Sequence, residues 1–417
     1  MRITPYFLDG VYLALNMEPD ILTIVDAPRC EMERATKICG YNDRLSTFVG
    51  DGIYSTHRRL HSAGWESCND PGGSEDYLFE TSRKLSEDYP GKPIIFVRGH
   101  ISIIANSDLD GIASELNLDS NSLHCVIDTP SLDDDWVDGY RATVQALQRL
   151  RIKTDGTRTC LVEGLGLMRN EGDDRGNLHE IRRMIAPFEY EPMIWSACGE
   201  SFEKGAVTPD SPRLAFPFSH HYEPLAADDP ARMPLPLGIR ATDDMIRRFA
   251  SVMGKDDQAE AILANEKKRL SQRLGSEGSR RLAGLGAVVI GDPYHALGYA
   301  MLLQELGIET ALAVILRKQE AVCPEIKQLS DMGAEILVDP LMQEGIDAIE
   351  RLSAGGLLDI VFGAGFFTPT AKKLNLVCLE TGYPAYNQHY YADNPIMGYE
   401  GILRVTERLE FMRDLRV

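Results

Sequence analysis

The stretch Ile21-Leu-Thr-Ile-Val-Asp-Ala-Pro-Arg-Cys30 carries the reading of the fold. Ile21–Val25 is a short, mostly β-branched run with the length and composition of a buried strand. Asp26-Ala27-Pro28 stops it, and Cys30 is left at the strand's carboxyl end, where a helix-like segment begins. In an open α/β sheet that edge is where ligands bind. Helix amides ahead of Cys30 would stabilise a thiolate, which makes it a candidate metal ligand.

The rest of the chain repeats this unit. Pro93–Arg98 and Leu123–Asp128 complete a first set of strands, with helical Tyr77–Tyr89 and Leu109–Leu116 between them. Asp133-Asp134-Asp135 suits the N-terminus of a helix running through Arg149, with Trp136, Tyr140, Val144 and Leu147 on one face. Residues 150–158 are polar and read as a linker. A second set comprises Thr159–Val162, Pro192–Ala197 and Arg213–Phe216, with a helix over Asn177–Ile185, and Ala241–Met253 is a long helix after it. Gly254–Gly284 is dense in charge and reads as a solvated helical bridge. The third set is the clearest. Strand Ala287–Ile290 leads into Gly291-Asp292-Pro293, where Asp292 is placed to cap a helix that ends at Gly307. Strands Ala311–Leu316, Glu335–Val338, Asp359–Phe362 and Leu376–Leu379 then alternate with helices. The expected fold class is α/β, with three Rossmann-like domains built on parallel sheets and right-handed crossovers. The expected domains are residues 1–150, carrying the cluster-binding edge, 151–254, and 255–417 with the bridging helix.

Composition narrows the function. The 417 residues contain 44% hydrophobic side chains and a formal net charge of −20. Such a surface attracts neither nucleic acid nor anionic membrane. No apolar stretch reaches membrane-spanning length, and Asp9 and Glu18 interrupt the first apolar run, which does not suit a signal peptide. Eight cysteines are too sparse for a disulfide scaffold. A reducing cytoplasm is the expected location.

Few local motifs carry chemistry. There is no G-x-G-x-x-G after the first strand and no G-x-x-x-x-G-K-[ST]; Gly363-Ala-Gly365 reads as a tight strand-to-helix turn. His57 and His61 stand four apart with Cys68 beyond, a zinc-like spacing if the segment is helical. His220-His221 reads more simply as a loop pair. Cys125, Cys160 and Cys378 lie in apolar strands as small core residues, Cys323 starts a surface helix, and Cys198 ends its strand. Cys39 and Cys68 are further candidate ligands in the segment after Cys30.

At this point the residues resemble a known family. Asp26-Ala-Pro-Arg-Cys30 is similar to the Gly-Pro-x-Gly-Cys cluster-ligand motif of nitrogenase component 1 and its relatives. Tyr77–Leu85, Ile94–His100, Ser107–Leu116 and Ala287–Leu297 continue the pattern in order. Gly382-Tyr-Pro-Ala-Tyr-Asn-Gln-His389, followed by Gly398-Tyr-Glu-Gly401, is the most specific match. Within the family, Cys30-Glu31, Gly40-Tyr-Asn-Asp43 and Thr129–Trp136 resemble the Z-type, β-type subunit of chlorophyllide reductase. The chain departs from it at Val417, where such subunits carry a C-terminal extension. It departs from nitrogenase proper at Arg98-Gly-His, where a third cluster cysteine would stand, and at Pro217-Phe-Ser-His220, where the α subunit has a cofactor-binding cysteine.

The resemblance implies a nitrogenase-like oxidoreductase subunit. It implies an iron–sulfur cluster of the [4Fe–4S] type shared with a paralogous α-type subunit, because Cys30 alone cannot supply four ligands. It further implies an α2β2 heterotetramer and an ATP-dependent iron–sulfur reductase homodimer that delivers electrons to an unsaturated small molecule, a tetrapyrrole being favoured. His389 and Tyr390 are expected to line the substrate pocket. A cofactor-assembly scaffold of the same fold is the alternative.

Overall fold

The computed structural model describes residues 2–16, 21–27, 60–62, 75–119, 124–128, 134–150, 161–163, 172–188, 193–195, 213–215, 233–275, 281–318 and 323–415. In order the elements are α1 (Phe7–Asn16), β1 (Leu22–Asp26), β2 (Leu60–Ser62), α2 (Glu75–Asp88), β3 (Ile94–Arg98), α3 (His100–Ala105), α4 (Leu109–Asp119), β4 (His124–Asp128) and α5 (Trp136–Leu150). β5 (Leu161–Glu163), α6 (Gly172–Ile185), β6 (Met193–Trp195), β7 (Arg213–Ala215), α7 (Ile239–Val252) and α8 (Asp256–Leu274) follow. The last stretch holds β8 (Gly286–Gly291), α9 (Pro293–Glu305), β9 (Glu309–Ile315), α10 (Pro324–Asp331), β10 (Glu335–Val338), α11 (Met342–Ala354), β11 (Ile360–Gly363), α12 (Thr368–Lys373), β12 (Val377–Glu380) and α13 (Gly398–Asp414). By contacts these elements form two units: one from Pro5–Asp155, the other from Met1–Thr4, Gly156–Ser196 and Val207–Val417.

In the Pro5–Asp155 unit the four strands form a parallel sheet of order β2-β1-β3-β4. Leu22 faces Ile94 and Ile94 faces His124 across the register. Leu22, Ile24, Ile94 and Phe96 bury one face against Leu78 and Leu85 of α2 and Leu109, Ile112 and Leu116 of α4. Each such side chain contributes about 1.5–3 kcal/mol on full burial. The alternate residues Val25, Ile95 and Val97 are buried as well, which is why these strands read as unbroken apolar runs. Trp136, Tyr140, Val144 and Leu147 share the inward face of α5 as their spacing requires. Asp135 caps that helix, its carboxylate accepting the Val137 N–H at 3.0 Å.

The second unit carries two parallel sheets, of orders β6-β5-β7 and β10-β9-β8-β11-β12. The five-stranded order is that of a doubly wound nucleotide-type half, with its reversal between β8 and β11. Val288, Ile290, Leu312, Val314 and Val361 pack on one side with Ile349 and Leu352 of α11, and with Phe367 and Ala371 at α12. Asp292 caps α9 as its position before Pro293 predicts, accepting the N–H groups of Tyr294 and His295.

Two local expectations change. Leu60–Ser62 pairs in parallel with Thr23–Val25, so His61 lies on a strand and the helical zinc spacing is not available to it; His57 and Cys68 lie outside the described residues. The charged helix α8 is not solvated all round. Ala259, Leu263, Glu266 and Leu270 form a buried stripe, and the charge within that stripe is neutralised by Arg183, whose Nη1 lies 2.7 Å from Glu266. No helix among the described residues is long and apolar enough to cross a membrane.

Candidate functional site

The first sheet reverses its strand order between β1 and β3, so its crevice opens at the carboxyl ends of those two strands. Asp26 closes β1 and is fully buried. Its carboxylate accepts the Ser102 hydroxyl, and its carbonyl accepts the Gly99 N–H at 3.0 Å. A Cβ on Gly99 would lie 2.8 Å from that of Ala27, so the two strand ends approach as closely as glycine allows. Arg98 closes β3 and pairs with Asp110 at 3.3 Å and Asp128 at 3.1 Å. Arg98, which opens the Arg98-Gly-His stretch where the family resemblance would put a third cluster cysteine, is thus an ion-paired guanidinium. β1 ends at Asp26, four positions ahead of Cys30 in the sequence; Cys30, Cys39 and Cys68 lie outside the described residues.

Three cysteines, Cys125, Cys323 and Cys378, lie among the described residues. Burial pushes the Cys323 thiol up to about 11, and burial raises that of Cys378 as well. Cys378 also lies 3.4 Å from the Thr368 hydroxyl. Cys125 is the second residue of β4, facing Ile95 of β3 across the register. Among the described residues no three His, Cys, Asp or Glu side chains are grouped to hold a metal.

The second edge lies at the carboxyl ends of β8, β11 and β12. Asp292 and His295 are buried together, with His295 Nδ1 2.7 Å from the carboxylate. Beside them Gly363 takes φ +118°, and a Cβ there would meet the Ile290 carbonyl oxygen at 2.1 Å. Gly363-Ala-Gly365 is therefore a tight strand-to-helix turn, with the Gly365 N–H donating to the Pro384 carbonyl at 2.8 Å.

His389 and Tyr390 sit on the segment that follows β12, both half-buried. Tyr390 turns its hydroxyl toward the protein, donating to the Glu380 carbonyl at 2.9 Å. The Arg408 guanidinium donates to that hydroxyl and lies over the ring at 4.2 Å from its centroid. Gln388 bridges back to β12, its Nε2 donating to the Cys378 carbonyl at 2.7 Å and its Oε1 accepting the Glu380 N–H at 3.0 Å. Tyr386 and Tyr391 are exposed, and Tyr386 meets Phe366 edge to face at 5.5 Å. The edge thus carries a half-buried imidazole on a segment whose Tyr386 and Tyr391 rings are exposed.

The far side of this segment is gripped by α6. Gly172 donates to the Tyr390 carbonyl at 2.8 Å and accepts from Asn394 at 2.8 Å. Asn177 Oδ1 accepts the N–H groups of Ile396 at 2.8 Å and Met397 at 3.0 Å, and Glu180 accepts that of Glu400 at 3.0 Å. Glu180 and Glu266 together hold Arg183. Burial opposes its charge, yet the two carboxylates raise the guanidinium pKa. Glu380, Arg408 and Asn177 were not singled out by the sequence. For Asn177 the available signal is three polar residues, Asp173, Asn177 and Glu180, on one helical face.

The family model of nitrogenase component 1 type oxidoreductases matches residues 73–410. The nitrogenase molybdenum-iron protein beta chain of Methanothermobacter thermautotrophicus is 27% identical over 91% of this chain and 89% of its own length. Its counterpart in Methanothermobacter marburgensis is 28% identical over 43% of this chain, a match that spans 39% of that relative. A light-independent protochlorophyllide reductase chain of a Bradyrhizobium species is 28% identical over 40% of this chain and 31% of its own. A solved chain described as nitrogenase Cp1 at pH 6.5 shares the fold, with a TM-score of 0.76 over 99% of this chain and 93% of that one at 16% identity. With its three parallel sheets, its two carboxyl-edge crevices and a family match over most of its length, the chain belongs to the nitrogenase component 1 type oxidoreductases.

Proposed function

We propose that the chain is the β-type subunit of a nitrogenase-like reductase complex, with Cys30 as its share of an iron–sulfur cluster completed by a paralogous α-type subunit. The three sheets are read as Rossmann-like domains over residues 1–150, 151–254 and 255–417. The observation that carries the reading is the β1–β3 crevice: β1 ends there at Asp26, four positions ahead of Cys30 in the sequence. The match to nitrogenase beta chains supports the β-type assignment.

The donor set fits a shared cluster and not a private one. Thiolates are the usual ligands of a [4Fe–4S] cube, and Arg98, closing the strand beside β1, supplies none. Cys30, with Cys39 or Cys68, is this chain's contribution, and the α-type subunit supplies the rest. A bound cluster would relay single low-potential electrons from an ATP-dependent iron–sulfur reductase homodimer. In an α2β2 assembly in the cytoplasm, those electrons would reduce an unsaturated small molecule, a tetrapyrrole being favoured. This chain's own residues would border that substrate with His389 and the rings of Tyr390, Tyr386 and Tyr391, a surface matched to a flat conjugated molecule.

The test is anaerobic co-purification with the α-type paralogue. Cys30→Ala should lower iron per heterodimer and abolish electron uptake from the reductase. Unchanged iron content and uptake would overturn the assignment. ATP-dependent consumption of protochlorophyllide supports the reductase, whereas transfer of a preformed cluster to an apo-acceptor without turnover identifies an assembly scaffold.

A further inference from the structure

Glu380 ends β12 fully buried, and it grips the segment after the strand at several points. One carboxylate oxygen accepts the consecutive main-chain N–H groups of Tyr386 and of Asn387, the latter at 2.9 Å. The other accepts the Thr368 hydroxyl at 3.1 Å and the Asn387 side-chain amide at 3.2 Å. Its main chain is engaged too: the N–H donates to Gln388 and the carbonyl accepts Tyr390. The bonds bracket His389 from both sides. Gly365 leaves the necessary room, since a Cβ there would come within 2.2 Å of the carboxylate.

We propose that Glu380 is the positioning residue that sets the path of residues 384–390 and so the place of His389 at the sheet edge. The proposal rests on the reading of His389 as a substrate-bordering group. Burying a carboxylate is costly unless its oxygens are satisfied, and here four donors satisfy them. Two successive N–H groups converging on one oxygen form a small anion nest. A carboxylate accepts all four without offering a donor of its own, which no neutral side chain of this size can do. The segment has no helix or strand hydrogen bonds of its own between Thr381 and Met397, so its course depends on such anchors.

The experiment uses the full chain, alone and with its α-type partner. Two readouts report the segment: hydrogen exchange at residues 384–391, and carbethoxylation of His389 by diethyl pyrocarbonate, followed by peptide mass spectrometry. Exchange at Gly286–Gly291 serves as the internal control. Asn387→Asp sets a second carboxylate against the first and should raise both readouts by about tenfold or more. Adding Glu380→Gln supplies a donor toward the new carboxylate at the natural net charge, and should return both to within about twofold. Glu380→Gln alone should fold, since Thr368 and Asn387 can reverse their roles. It should raise exchange by roughly threefold to tenfold, in line with the loss of charge-assisted bonds. An unmoved segment in Asn387→Asp or in Glu380→Gln, or a double variant as open as Asn387→Asp, would overturn the proposal. The reading beneath it fails separately: if His389→Ala leaves protochlorophyllide binding by the partnered complex unchanged, His389 does not border substrate, whatever Glu380 does to the segment.

Discussion

Replacing Asn177 by alanine puts the grip of α6 on the C-terminal segment to a quantitative test. Asn177, Ile396 and Met397 are all buried, and a single oxygen accepts both N–H groups. A neutral hydrogen bond adds only about 0.5–1.5 kcal/mol net, but a buried donor left without an acceptor costs about 1–3 kcal/mol. Two stranded donors give about 2–6 kcal/mol. A water entering the vacated polar space would recover part of this, leaving about 2–3 kcal/mol. At about 1.4 kcal/mol per factor of ten, exchange of the Ile396 and Met397 amides should quicken by roughly thirty- to a hundredfold. Those amides are the right observable, because a chain of two units need not unfold in one step. Asn177→Asp keeps the acceptor and should disturb them much less. The reasoning is refuted if alanine changes their exchange by less than threefold, or if aspartate and alanine act alike.

Two further outcomes concern titratable groups. Burial opposes the charge of Asp292, but His295 and the N–H groups at the start of α9 outweigh it and hold the carboxyl below its ordinary 3.8. A depressed folded value means that this contribution is complete above about pH 4 and is lost as the pH falls through the folded value. Protection of the first α9 amides should therefore collapse only under strong acid, and Asp292→Asn should flatten that limb; an unchanged limb counts against the pairing. For Cys323, a rise from 9.0 to about 11 leaves about a hundredth of the ordinary thiolate at pH 8. Iodoacetamide should label it about a hundredfold more slowly in the folded chain than in urea, with Cys378 slow as well. Equal rates would refute the burial-raised pKa of the Cys323 thiol.

The parts of the fold legible in the sequence are those whose cause is local. Ala287–Ile290 reads as a strand because every residue is apolar, and the start of α9 is visible because Asp292-Pro293 has one good use. β2 was not legible: Leu60-His-Ser has neither length nor alternation, and only pairing with β1 makes it a strand. The face of α6 misleads in a more instructive way. Asp173, Asn177 and Glu180 look like a solvated side, yet they are buried because distant donors need acceptors: the Thr381 hydroxyl for Asp173, and main-chain N–H groups some 220 positions away for Asn177 and Glu180. In α8 an apolar stripe is present, but Glu266 interrupts it. Its burial is intelligible only once Arg183, far off in the chain, is known to stand opposite. At the second edge, the turn at Gly363 could be found from its neighbours in sequence, whereas Glu380 shows no local sign that it anchors a loop.

The acidity of the chain takes on a different meaning in this light. A formal charge of −20 reads, in the sequence, as a property of the surface, but Asp26, Asp135, Asp173, Glu180, Asp292 and Glu380 are all buried. Asp26 takes a hydroxyl, Asp135 and Asp292 cap helices, Glu180 takes the Glu400 N–H in the first turn of α13, and Glu380 collects main-chain N–H groups of the segment that carries His389. Each sits where strand or helix hydrogen bonding stops and donors are left over, and carboxylates serve there because they accept without competing as donors. Three of them, Asp26, Asp292 and Glu380, stand at carboxyl strand ends, which is where this fold opens its crevices. Carboxylates that fix those edges are worth more to the site than those on the surface. Neutralising them should alter the site's geometry, while neutralising exposed Asp and Glu should alter mainly long-range attraction between the chain and charged partners.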